Sequence, residues 1–189
     1  MRIVLLALCF GFTSQIVSAQ FIKEKSIQAS IGLGLSVPYD SADEVADNGL
    51  FVQGELVLKV LSWIEIRPYA GVIWTNSDGT DLDGNPTDEK AESKAFLTGG
   101  KLRLRAPIPY VAPYVELGVG TSIGKFETST VFYDIKGNGF LYHIPFSFGL
   151  ELGKAHNVDI GFAYFFQPKV KQYVGAFAVG VSFQPKKWR

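Results

Sequence analysis

The chain has 189 residues, 18 basic against 18 acidic side chains, and a single cysteine, Cys9. Balanced charge gives no pull toward nucleic acid, and a lone cysteine so near the start, within the export signal read below, leaves the mature chain none for a disulfide framework, a cysteine-based zinc site or a cysteine nucleophile. No segment is apolar enough for a membrane-spanning helix, which needs roughly 20 such residues.

The first residues read as an export signal. Met1-Arg2 is positive, Ile3 to Phe12 is apolar, and Val17-Ser18-Ala19 is a small-residue cleavage site before Gln20. The expectation is a leader over 1–19 that is removed, leaving 20–189 as one domain. Leu8, before Cys9, is not the small residue a lipoprotein signal needs, so Cys9 reads as filler of the leader.

From Ser26 the pattern has period two. Ile27, Ala29, Ile31, Leu33, Leu35 and Val37 share one face, while Gln28, Ser30, Gly32, Gly34 and Ser36 share the other. Successive side chains of a strand point to opposite faces, so this is a strand with one greasy side. Seven more segments follow at 50–60, 63–75, about 96–105, 111–123, 140–152, 158–166 and 173–183. Long polar connections at 38–49, 76–95 and 127–139 alternate with short turns at 61–62, 106–110 and 153–157. The last outer connection, 167–172, is short. Long outer loops and short periplasmic turns are the rhythm of a transmembrane barrel.

The aromatic residues sort by height along these strands. Trp74, Phe140, Tyr142, Tyr164, Phe166 and Tyr173 fall on the apolar face near the long loops, and Trp63 and Phe183 near the short turns. Two girdles around an aliphatic band suit a bilayer. The apolar face is bulky and the other is rich in glycine and small residues, so a narrow eight-stranded barrel holds the second set inside. A soluble, lipocalin-like carrier would need the reverse.

The inner face then carries Glu55, Glu65, Glu116, Glu151 and Asp159 against Lys59, Arg67, Lys101, Arg103 and Arg105. Buried charges persist only when paired and hydrogen-bonded, so these ten residues are expected to form an ion-pair network. It would fill the lower lumen, with Tyr69 and Tyr114 packed beside it. The alternative is a charge-lined permeation path.

Catalytic and metal chemistry find little support. His143, Ser147 and Glu151 share a face, but four residues along a strand is about 13 Å, too far for a triad without partners from neighbouring strands. The run from Asp81 to Glu92 has oxygen-bearing residues at the spacing of a calcium loop, with Pro86 where that loop needs glycine. The plainer reading is a solvated acidic loop. No catalytic residue, cofactor or resident metal is therefore expected. The outer connections as a group are acidic, through Asp40, Asp43, Glu44, Asp47, Asp78, Asp81, Asp83, Asp88, Glu89 and Glu92. Such a mouth can attract cations or bridge to lipopolysaccharide through divalent ions.

In strand pattern, loop rhythm, girdles and the closing run Tyr173…Phe177…Phe183, the chain resembles the small outer-membrane β-barrels of the OmpX and OmpA transmembrane-domain type, the porin-family barrels. The resemblance implies an all-β, eight-stranded antiparallel up-and-down transmembrane β-barrel in the cell outer membrane. It further implies insertion by the outer-membrane assembly machinery; a monomer in contact with outer-membrane lipid and lipopolysaccharide is expected. One departure stands out, because such barrels often end on the terminal aromatic residue and here Gln184 to Arg189 follow Phe183. The expected role is a structural or surface-interaction barrel displaying acidic loops. The competing readings are a narrow porin, a soluble carrier and a lipid-modifying enzyme.

Overall fold

The alternation that begins at Ser26 forms β1 (Glu24–Pro38), the first of eight strands in a computed structural model that describes residues 22–185. The expected leader and the last four residues of the tail lie outside the described residues. The chain continues through β2 (Asp47–Lys59), β3 (Ile64–Asn76), β4 (Lys90–Arg105), β5 (Val111–Thr130), β6 (Tyr133–Leu152), β7 (Val158–Gln167) and β8 (Gln172–Phe183). Each strand pairs antiparallel with the next. β1 closes the barrel on β8, from Ile27 opposite Phe183 to Pro38 opposite Gln172. Closure leaves no unpaired edge, which any sheet in hydrocarbon requires. Among the described residues no helix is long and apolar enough to cross a membrane.

The apolar face points outward. Ile31, Leu33, Val72, Leu102, Leu117, Phe146, Phe162 and Val179 stand exposed around the wall. Trp74, Phe140, Tyr142, Tyr164 and Tyr173 ring its upper end, and Trp63 and Phe183 its lower end. A soluble carrier would turn these residues inward, so this geometry rules out the lipocalin-like reading. Exposed apolar surface on this scale needs lipid to cover it.

The upper barrel departs from the sequence reading. The connection expected at 127–139 is largely strand, since β5 and β6 are joined only by Val131 and Phe132, and the one expected at 76–95 is shortened because β4 already starts at Lys90. Above the bilayer both the water outside and the packed interior are available, so the sense of the alternation inverts. Lys94, Lys125 and Lys136 point outward, while Ala91, Ser93, Ala95, Phe126 and Thr128 point inward. Charged residues that face water from a strand look like loop when the greasy face is assumed to be the outer one.

Candidate functional site

The lumen is built in tiers, each set by inward positions that the strand register aligns. In the charged tier, Glu65 on β3 lies opposite Arg103 on β4, Arg67 opposite Lys101, and Arg103 opposite Glu116 on β5. Glu151 on β6 lies opposite Asp159 on β7. Arg67 Nη1 reaches Glu55 at 2.9 Å and Glu116 at 3.2 Å, its Nε lies 3.2 Å from Glu65, and its Nη2 donates to Gln28 Oε1 at 2.7 Å. Lys101 sits between Glu55 and Glu116. Arg103 bridges three carboxylates, Glu116 at 2.6 Å and Glu151 and Asp159 at 2.7 Å each. Arg105 pairs with Glu151 and donates to the Ser62 carbonyl.

Four cations thus face five carboxylates. The Tyr114 hydroxyl donates to Asp159 at 2.7 Å, and the Arg103 guanidinium lies 3.5 Å from the Tyr114 ring centroid. Gly149 and Gly161 make this possible, since a Cβ at either would collide with the Tyr114 hydroxyl. One expected member stands apart. Lys59 pairs with Glu24 near the periplasmic rim, where both side chains reach solvent. The strand end has no opposing wall to shield it. Below the network, a vestibule of about 400 Å³ opens between Glu24, Lys59, Glu65, Arg105, Glu151 and Ser182.

Above the charges the lumen turns apolar, a layer the sequence reading missed. Phe51, Ile73, Leu97, Phe126, Leu141 and Phe165 are buried there. They are visible in the sequence only once the outward partners in each strand have been fixed. His143 sits at the boundary. Its Nδ1 is 2.7 Å from Ser122 Oγ and its Nε2 bonds to the Tyr69 hydroxyl, so its partners come from β5 and β3 rather than from Ser147 or Glu151. His143 and Ser122 are both buried, with Phe165 edge-on to the imidazole at 5.2 Å, so no substrate reaches them. Higher still, Ser36, Thr75, Ser93 and Gln172 form a hydrogen-bonded polar rung.

The mouth is tied shut by Glu89. Its carboxylate accepts from the Ala42 and Asp43 amides at 2.9 Å each and from the Val131 amide at 2.8 Å, joining three outer connections. Asp47, also expected at the exposed surface, is buried and accepts from the Ala91 amide at 2.6 Å. The calcium-loop spacing is not assembled. Asp81 is engaged by Asn85, Glu89 turns to the mouth, and Glu92 accepts from the Ser77 amide. Among the described residues no group of three acidic or histidine side chains converges on a metal position.

Burial alone would raise the Glu89 pKa. The Val131, Asp43 and Ala42 amides outweigh it and hold the carboxyl below its ordinary value of 4.5. A group whose folded pKa is depressed stabilises the structure above its unfolded value and ceases to as pH falls through the folded one. Hydrogen-exchange protection of the Ala42, Asp43 and Val131 amides, corrected for intrinsic rates, is expected at pH 7 and should fade below pH 4.5. Glu89→Ala should lack it at every pH. Unchanged protection in that variant would show that the mouth is held by something else.

No family model and no curated protein matches the chain. Among solved structures, Neisserial surface protein A superposes with a TM-score of 0.59 at 11% identity, over 85% of this chain and 97% of that one. OprG from Pseudomonas aeruginosa, an outer membrane protein, aligns at 0.49 and 12% identity over 88% and 99%. Ail, the attachment invasion locus protein of Yersinia pestis, aligns at 0.48 and 17% over 85% and 99%. An eight-stranded closed barrel with an outward apolar belt, two aromatic girdles and a charged interior is a small transmembrane barrel of the outer-membrane type, and that is the fold of this chain.

Proposed function

We propose that the protein is an integral outer-membrane anchor whose barrel presents acidic outer loops at the cell surface and passes no solute. The observation that carries this reading is the filled lumen. At the level of Arg103 and Glu116 lies a void of about 30 Å³, lined by Gln53, Ser147 and Asp159. That is room for roughly one or two waters, and the unpaired Gln53 Oε1 and Ser147 Oγ atoms suit such a role. Phe51 and Phe165 close the tier above.

Above the rim, Asp40, Asp43, Glu44, Asp78, Asp83 and Asp88 remain in or near solvent, giving the displayed surface a negative field suited to cationic partners. Planar-bilayer recording tests the closed lumen. Folded protein, with insertion verified by heat-modifiable gel migration, should give no discrete conductance steps. Reproducible steps that shrink when Arg103 or Glu116 is replaced would establish the narrow porin instead.

A further inference from the structure

A second feature lies on the outside of the wall, where β4, β5 and β6 rise past the upper girdle. The register sets Trp74, Lys94, Lys125 and Asn138 in one row. Two residues lower, Val72, Phe96, Ile123 and Phe140 form a lipid-facing row. Two residues higher come Glu92, Glu127 and Lys136. Together the upper rows line a depression of about 300 Å³.

Lys94 and Lys125 are directly opposite each other on the outer face. Like charges so placed on adjacent strands destabilise a sheet. The nearby carboxylates offset them only in part, through a loose pair between Glu92 and Lys94. Glu92 is 3.7 Å from Lys94, and Glu127 is taken by Lys90 at 2.8 Å and Lys136 at 3.1 Å. Among the described residues no carboxylate lies within salt-bridge distance of Lys125. The Lys94 ammonium also leans over the Trp74 ring, 5.9 Å from its centroid.

Height decides what the row meets. From Leu104, at the foot of the apolar face of β4, the strand climbs ten residues to Lys94. At about 3.4 Å per residue and a tilt of about 40° that is roughly 26 Å, the height of a barrel's apolar band. The ammonium groups therefore emerge where hydrocarbon ends and headgroups begin. A phosphate there would accept from both lysines and from the Asn138 amide, and would turn a repulsive pair into a clamp.

We propose that Lys94, Lys125 and Asn138 form a binding site for the phosphate of an anionic glycolipid in the outer leaflet. The site rests on the outer-membrane reading of the barrel and is independent of whether the lumen conducts.

The test titrates folded protein in neutral detergent with three probes: diphosphorylated lipid A, the same lipid with its phosphates removed, and inorganic phosphate. Bound lipid is counted by native mass spectrometry. Retention of the phosphorylated lipid should exceed that of the dephosphorylated one about tenfold, and fall by about as much in Lys94→Gln/Lys125→Gln. Lys154→Gln, in a periplasmic turn, should leave it unchanged. Equal retention of both lipids, or full retention by the double variant, overturns the site. Displacement by equimolar inorganic phosphate overturns the lipid as its source.

Lys125→Gln alone keeps the proposal open to refutation if the double variant folds poorly. It should raise the Tm in neutral detergent, by relieving the repulsion, and should lose the Tm gain that phosphorylated lipid gives the unaltered protein. An unchanged lipid-induced gain refutes the site. Normal heat-modifiable migration separates failure of this site from failure of the barrel reading.

Discussion

Replacing Arg103 by methionine is expected to cost the folded barrel about 3–5 kcal/mol, the range for removing one partner from a buried ionic network. The guanidinium is fully buried and holds Glu116, Glu151 and Asp159 together. Its loss does not affect the three equally. Glu116 keeps Arg67 and Lys101, and Glu151 keeps Arg105. Among the described residues Asp159 is left with only the Tyr114 hydroxyl. Asp159→Asn added to Arg103→Met should therefore recover part of the loss, with a coupling of about 0.5–3 kcal/mol in a double-mutant cycle. Urea unfolding in lipid vesicles measures both. Lys90→Met, which breaks the more exposed pair with Glu127, should cost about 0–1 kcal/mol and serves as the reference. A cost for Arg103→Met no larger than that reference would mean that water reaches the carboxylates. The closed-lumen reading would then fall along with the stability prediction.

How much of this was legible in the sequence depends on where a residue sits relative to the bilayer. Within the apolar band the environment outside is uniform, so period two reads directly as in and out. Glu55, Glu65, Arg67, Lys101, Arg103, Glu116, Glu151 and Asp159 all lie on the inner face that alternation gave them. Pairing was not legible. That Arg103 touches Glu151 and Asp159, two and three strands away across the lumen, follows from barrel diameter and stagger, which no local pattern encodes. Above the band, water replaces lipid, and the same alternation carries the opposite meaning. This is why alternation read with the greasy face outward gives only the lower parts of Lys90–Arg105, Val111–Thr130 and Tyr133–Leu152 as strand, and why it does not mark Phe126 as an interior residue. Glu89 was missed for a related reason. In composition it belongs to an acidic loop, and only the fold brings three amides to its carboxylate.

Phe165→Ala should destabilise the barrel by about 3–5 kcal/mol, the cost of truncating a buried aromatic residue. Phe165 is 1% exposed and packs against Phe51 at 6.0 Å, Tyr69 at 6.2 Å and His143 at 5.2 Å. Phe162, three residues earlier on β7, points to the other side and is 39% exposed. Phe162→Ala leaves a gap that acyl chains fill, so it lacks the cavity term. At about 24 cal/mol per Å³, a void of roughly 100 Å³ makes that difference on the order of 2 kcal/mol. Equal losses in lipid vesicles would mean that the inner tier is not tightly packed.

The same pair of phenylalanines separates the two possible seals. Phe51→Ala/Phe165→Ala removes the apolar tier but leaves the Arg67–Glu116–Arg103 ion pairs beneath it intact. If the charges close the barrel, this double variant stays silent in a planar bilayer despite its lower stability. Conductance that appears with the phenylalanines gone would identify the apolar layer as the gate above a wet, charged passage. The ion pairs would then line a route rather than fill one.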